Sequence, residues 1–309
     1  MTCINLVTGG AGFIGVNLTN YLLAQGEKVI CLDNYLTGSR KNIKRFITNK
    51  NFKIFERNIL EEINLKVDRI WHFACPASPN FYMNNPIQTS NICYLGTLNM
   101  LKLARKNNAR FLLASTSEIY GKSNKIPISE DNLGSVDTRS KRACYSESKR
   151  LAETLSLDFS REYSLEVRIA RIFNTYGPYL SLNDGRVIGN FLSQALNNKS
   201  LMVHGDGKQT RSFCYVDDLI VGLLKLMNSN YSLPINLGND EEISIIDLAN
   251  LILKKVNPLL KINFTNLIQD DPPRRKPCLK KSLKILDWQS KVLINEGIDY
   301  TIEYVKSLK

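Results

Sequence analysis

The chain has 309 residues, 43% of them hydrophobic and 23% charged, which is ordinary for a water-soluble globular protein with room for one large α/β domain or two lobes. No run approaches the roughly 18 apolar residues of a membrane span, and the N-terminus enters INLVTGG without a leader, so a cytoplasmic protein with no membrane partner is expected. The net charge of +12 comes from Lys and Arg scattered along the chain, without a basic face of interleaved aromatics, so no nucleic-acid partner is expected.

The first apolar run, INLVT (4–8), leads into VTGGAGFIG and then into an amphipathic stretch at 13–25. Gly9, Gly12 and Gly15 lie where a strand passes into a helix. Such a turn needs glycine so that a pyrophosphate can approach the amides of the helix N-terminus. The next run, KVICLD (28–33), ends in Asp33, 18 residues past Gly15. An acid there accepts hydrogen bonds from a ribose 2′-hydroxyl and repels a 2′-phosphate, which favours NAD over NADP. RIWHFA (69–74), RFLLAS (110–115) and VRIARI (167–172) are further buried strands, and 91–108 has a helical pattern.

The run at 110–115 ends in Ser115, Thr116, Ser117 and Glu118, a row of hydroxyls and one acid that a buried strand does not need. Soon afterwards, Tyr145 and Lys149 share one helix face at i, i+4 spacing. A phenol beside an ammonium and an oxidised nicotinamide is expected to have its pKa drawn towards neutrality, and could then take a proton from a substrate hydroxyl. Beyond Pro178 the pattern is irregular, with helices near 187–197, 216–227 and 243–256. The stretch DDPPRRKP (270–277) is expected to be neither helix nor strand.

The fold class is therefore α/β: a Rossmann-like doubly wound parallel sheet with a smaller α/β substrate-binding lobe. The dinucleotide-binding domain is assigned to 1–175 and 212–237, and the smaller substrate-binding lobe to 176–211 and 238–309. Two histidines, His72 and His204, make a His-based triad or a zinc site improbable, and no metal is expected. The seven cysteines contain no CxxC pair and are expected to be reduced core thiols.

The glycine turn, ASTSEIYG (114–121) and CYSESKRLAET (144–154) together resemble the extended short-chain dehydrogenase/reductase family. CPASPNFYMNNPIQT (75–89) and NDGRVIGNF (183–191) narrow the resemblance to its UDP-glucuronate-decarboxylating branch. The resemblance implies NAD held by Gly12, Phe13, Ile14, Asp33, Asn34, Thr37, Gly38, Asn58, Ile59, Phe73, Cys75, Thr175 and Arg186, together with Tyr145 and Lys149. It implies a UDP-sugar, UDP-glucuronate, contacted by Tyr82, Asn174, Asn190, Arg211 and Arg275, with Arg275 near the substrate carboxylate. Thr116 and Tyr145 would hold the sugar 4-hydroxyl, Ser117 would stand where related dehydratases carry an acid, and Glu118 would position water or the C5 proton. A 4,6-dehydratase or 4-epimerase is the alternative activity. A homodimer built on the helices at 91–107 and 144–163 is also implied. The chain departs from the family pattern at Asn58 and Cys278, where an Asp is usual, and at Cys93, which replaces an Asn.

Overall fold

The expected apolar runs form β1 (Ile4–Thr8), β2 (Lys28–Asp33) and, beyond an additional strand β3 (Phe52–Glu56), β4 (Arg69–His72), β5 (Arg110–Thr116) and β6 (Val167–Ile172). The computed structural model describes residues 2–266 and 272–308, so Asp270 and Asp271 of the Pro-rich stretch lie outside the described residues. Further along come β7 (Thr175–Tyr176), β8 (Leu201–His204), β9 (Thr210–Ser212), β10 (Cys214–Tyr215), β11 (Pro234–Leu237), β12 (Glu242–Ser244), β13 (Ile262–Thr265) and β14 (Arg274–Arg275). One seven-stranded sheet has the order β11-β6-β5-β4-β1-β2-β3, and every neighbouring pair in it is parallel.

The inner strands are mostly apolar because both faces are covered, with Asn5, His72 and Arg168 as buried exceptions. Val7, Trp71 and Leu112 point into one cluster with the helix Phe13–Ala24, while their chain neighbours Leu6, Ile70 and Phe111 point into another with Met100 and Leu101. Each such side chain contributes about 1.5–3 kcal/mol by leaving water. The strand order reverses between β1 and β4. Parallel sheets open a crevice beyond their C-terminal edge at such a point, and the site lies there.

Three local expectations change. The helical stretch read as 91–108 begins earlier, at Pro86, whose fixed φ suits a first helical position. It passes through a π turn at Ile92–Gly96 and ends at Asn107. The segment DDPPRRKP contains a short strand after all, since Arg274 and Arg275 pair in parallel with Thr210 and Arg211 between the flanking prolines. Cys75 and Cys93, expected as thiols, are joined as a disulfide with Cα atoms 5.7 Å apart. Their 18-residue separation hides this pairing, because the loop after β4 folds back on the following helix. The other five cysteines are free.

A second body of structure packs Phe191, Leu201, Leu248 and Ile298 into its own core beneath the small sheets β12-β9-β14 and β13-β8. Beneath the crevice, His72 is buried between the hydroxyls of Thr8 (2.9 Å) and Thr97 (3.1 Å). Burial first, and the nearby Lys149 charge second, hold its pKa down at about 3. A depressed folded-state pKa supplies stability above the unfolded value of 6.5 that is lost as pH falls towards 3. Unfolding free energy is therefore expected to drop below pH 6.5, with His72 contributing up to ~1.4 kcal/mol per pH unit. His72→Gln should flatten that slope in urea titrations run on both sides of pH 6.5, and equal slopes in the two proteins would refute the assignment.

Candidate active site

A cleft of about 1450 Å³ runs along the C-terminal edge of the sheet and under the second body. Every residue expected at the site from the sequence lines it. At one end the glycine turn is built for close approach. Gly9 has φ +67°, its carbonyl accepts from the Gly12 amide at 3.0 Å, and a Cβ on Gly15 would fall 2.3 Å from that carbonyl oxygen. The helix Phe13–Ala24 starts there with no side chain capping its amides, so its N-terminus is free to face an anion.

Asp33, 7% exposed, accepts from the amides of Ala11 (2.9 Å) and Tyr35 (2.8 Å). Burial raises its carboxyl despite those bonds, so the acid is oriented rather than freely solvated. Gly38 lies against it, leaving no room for a Cβ that would not crowd Asp33 and Ala11. Asn34, Thr37, Asn58, Ile59, Phe73, Cys75 and Thr175 continue this wall. The Asn58 side-chain oxygen is taken by the Leu60 amide at 3.1 Å. A glycine cradle with an oriented acid at the second strand fits a dinucleotide.

At the centre, β5 and the helix Ala143–Tyr163 meet residue by residue. Lys149 donates to the Ala114 carbonyl at 2.7 Å, the Thr116 hydroxyl is hydrogen-bonded to Tyr145, and Ser115 bonds to Glu153. Glu153 is clamped in turn by Arg171, with Nη2 at 2.8 Å and Nε at 3.0 Å. The ring of Tyr82 lies parallel to that of Tyr145 with centroids 4.9 Å apart, so the expected substrate contact is also a brace for the phenol. Ser117 is buried at the head of the turn Ser117–Tyr120.

The expected fall in the Tyr145 pKa is not what the chain alone produces. Burial pushes the phenol up to about 12, outweighing the Thr116 hydrogen bond and the Arg186 charge. The Lys149 ammonium is turned towards a carbonyl, and burial lowers its own pKa to about 8 while Glu153 opposes that fall.

At the far end, charge is concentrated. Arg275 and Arg211 are register partners on β14 and β9. Arg275 bonds Glu118 with both terminal nitrogens, and Arg142, at the start of the Tyr145 helix, reaches the same carboxylate at 3.0 Å. Burial would raise the Glu118 carboxyl, but Arg275, Arg142 and, further away, Arg211 hold it below the usual range. The two narrow motifs also touch: Ser78 donates to the Asp184 carbonyl at 2.7 Å, and Gly185, at φ +88°, lies against Asn80. Arg186, Asn174 and Asn190 complete the wall. Sequence reading missed Arg142, Glu153 and Arg171. The first two lie three residues before Tyr145 and four after Lys149, a helical spacing that could have shown them.

Fold and cleft together define a dinucleotide-dependent enzyme. Residues 5–238 match the model of the NAD dependent epimerase/dehydratase family. UDP-glucuronic acid decarboxylase 1 of Xenopus tropicalis is 48% identical over 97% of this chain and 72% of that protein. UDP-glucuronic acid decarboxylase 4 of Arabidopsis thaliana is 46% identical over 96% of this chain and 67% of that protein. Among solved structures, UDP-glucuronic acid 4-epimerase from Bacillus cereus, in complex with UDP-glucuronic acid and NAD, superposes with a TM-score of 0.89 at 25% identity, covering 99% of this chain and 100% of that one. The chain belongs to the NAD dependent epimerase/dehydratase family, and its cofactor is NAD.

Proposed function

We propose that this protein decarboxylates UDP-glucuronate to UDP-xylose. The observation that carries the reading is the convergence, in one cleft, of the Tyr145/Lys149 pair and the arginines around Glu118, beside a dinucleotide cradle. Likeness to curated decarboxylases over nearly the whole chain supports it.

Bound NAD supplies a hydride acceptor at C4 of the sugar and a donor at the end of the cycle, and its positive charge counters the burial that raises the Tyr145 pKa. Tyr145 takes the C4 hydroxyl proton as the hydride leaves, with Thr116 holding the oxygen. The resulting 4-ketone is β to the C6 carboxylate. When the C5–C6 bond breaks, its electron pair passes into the C4 carbonyl as an enolate and CO2 departs. Ser117 suffices where an eliminating enzyme needs an acid, because no hydroxyl leaves. A proton taken up from solvent reaches C5 through a water that Glu118 positions, and the returning hydride with the Tyr145 proton restores the alcohol. Arg275 orients the carboxylate, Arg211 meets the diphosphate, and Tyr82, Asn174 and Asn190 line the sugar's path. The lobe of 176–211 and 238–309 carries the nucleotide-sugar.

We also propose a cytoplasmic homodimer. Ile87, Tyr94, Leu95, Leu151 and Tyr163 leave apolar surface exposed on the packed helices around 86–107 and 143–163, a pattern that suits an interface. Among the described residues no helix is long and apolar enough to cross a membrane.

The test is incubation of purified protein with UDP-glucuronate, followed by mass analysis. Loss of one CO2 with no net change in nicotinamide redox state is expected. A product of unchanged mass would indicate a 4-epimerase, and loss of water a dehydratase.

A further inference from the structure

We propose that Arg142 and Arg275 together form the carboxylate site of this cleft, and that Glu118 fills that site until the substrate's own carboxylate displaces it. The inference rests on the UDP-glucuronate reading and adds to it a specificity residue, Arg142, and an exchange of anions. Both guanidiniums bond the same oxygen of Glu118, Arg142 from the helix of Tyr145 and Arg275 from β14, 24 and 157 residues away in the chain. All three side chains line the cleft, Arg275 is only 6% exposed, and Arg211 stands in register beside it. The charges of all three guanidiniums act on the Glu118 carboxylate.

The position is right for a hexuronate. Thr116, which bonds Tyr145, lies two residues before Glu118, and Arg142 three before Tyr145. A sugar whose C4 oxygen sits on Thr116 and Tyr145 carries its carboxyl carbon only two carbon–carbon bonds from C4, and the Glu118 carboxylate that both arginines hold is near enough for its charge to act on the Tyr145 phenol. If Glu118 kept both guanidiniums, the incoming carboxylate would meet a like charge with its partners already engaged. One of the two anions must yield. A displaced Glu118 loses the partners that hold its proton affinity down, which prepares it to carry the proton that C5 requires.

The test uses Tyr145→Phe as the parent, so that bound substrate is not turned over, and measures UDP-glucuronate and UDP-glucose binding by calorimetry. Removing the resident anion with Glu118→Gln should tighten UDP-glucuronate by about tenfold and leave UDP-glucose unchanged, while Arg142→Met should weaken UDP-glucuronate by about tenfold or more. UDP-glucose binding reports that each variant is folded, and Arg142→Lys substitutes if Arg142→Met loses it. Unchanged or weaker UDP-glucuronate binding in Glu118→Gln overturns the exchange, and unchanged binding in the Arg142 variant removes that residue from the site. A parent that binds UDP-glucose but not UDP-glucuronate overturns the decarboxylase reading instead.

Discussion

Tyr145→Phe should abolish oxidation at C4, lowering turnover by about 10³-fold or more, within the range for loss of a positioned acid–base group. The substitution removes one oxygen and keeps the ring that stacks on Tyr82 at 4.9 Å, so packing is retained. Thr116 loses its phenol partner yet still accepts the Glu118 amide at 3.2 Å, which keeps the tip of β5 in place. Substrate and dinucleotide binding should change little, because no charge is lost. Rapid-mixing absorbance of the reduced dinucleotide reads the step directly: the variant should show no early reduction. Turnover within tenfold of the unaltered protein would exclude Tyr145 as the base. Lys149→Met should behave differently, weakening cofactor retention as well as chemistry, because the Lys149 ammonium anchors the backbone at Ala114.

What could be read in advance was local or periodic. Leu6 and Val7 fill opposite cores, so β1 shows as a largely apolar run, and β2, β4, β5 and β6 follow the same rule. The glycine turn is likewise a matter of backbone space within six residues. Strand β3 escaped because it is an edge: Phe52 is its one buried side chain, and Lys53 and Glu56 are exposed. Strand β14 escaped for the opposite reason. Its two arginines between prolines have no strand pattern of their own and become a strand only through pairing with Thr210 and Arg211. The disulfide, the reach of Arg142 to Glu118 and the Glu153–Arg171 clamp are contacts across the fold, and Arg142, Glu153, Arg171 and the two cysteines look like ordinary surface charges or core thiols in the sequence.

Electrostatics was the least legible layer. Spacing places Lys149 on the face of Tyr145, but it does not say where the ammonium points or how deeply the phenol is buried. Burial raises the Tyr145 phenol in the chain by itself, whereas the expected fall includes the charge of the nicotinamide. Glu153 shows how the helix tolerates this arrangement. Tyr145, Lys149 and Glu153 repeat every four residues, so a buried cation is followed one turn later by a buried anion that Arg171 and Ser115 hold in place.

Arg275→Ala should separate the two halves of the reaction. On the proposed reading, oxidation at C4 depends on Tyr145 and Lys149, whereas the carboxylate that departs depends on being held with its C5–C6 bond in line with the carbonyl π system. A ketone forms in either case; CO2 leaves promptly only when that alignment is imposed. Removing one partner of a buried charge-assisted pair commonly costs about 3 kcal/mol, so loss of CO2 should slow by roughly 10²-fold. Reduced dinucleotide should therefore accumulate in a single turnover before labelled CO2 appears, a lag absent from the unaltered protein. Arg275→Lys keeps the charge but not the two-nitrogen grip on Glu118, and should recover only part of the rate. If Arg275→Ala slows hydride removal and CO2 release equally, with no accumulation of reduced dinucleotide, the arginine serves binding alone and the division of labour along the cleft is wrong.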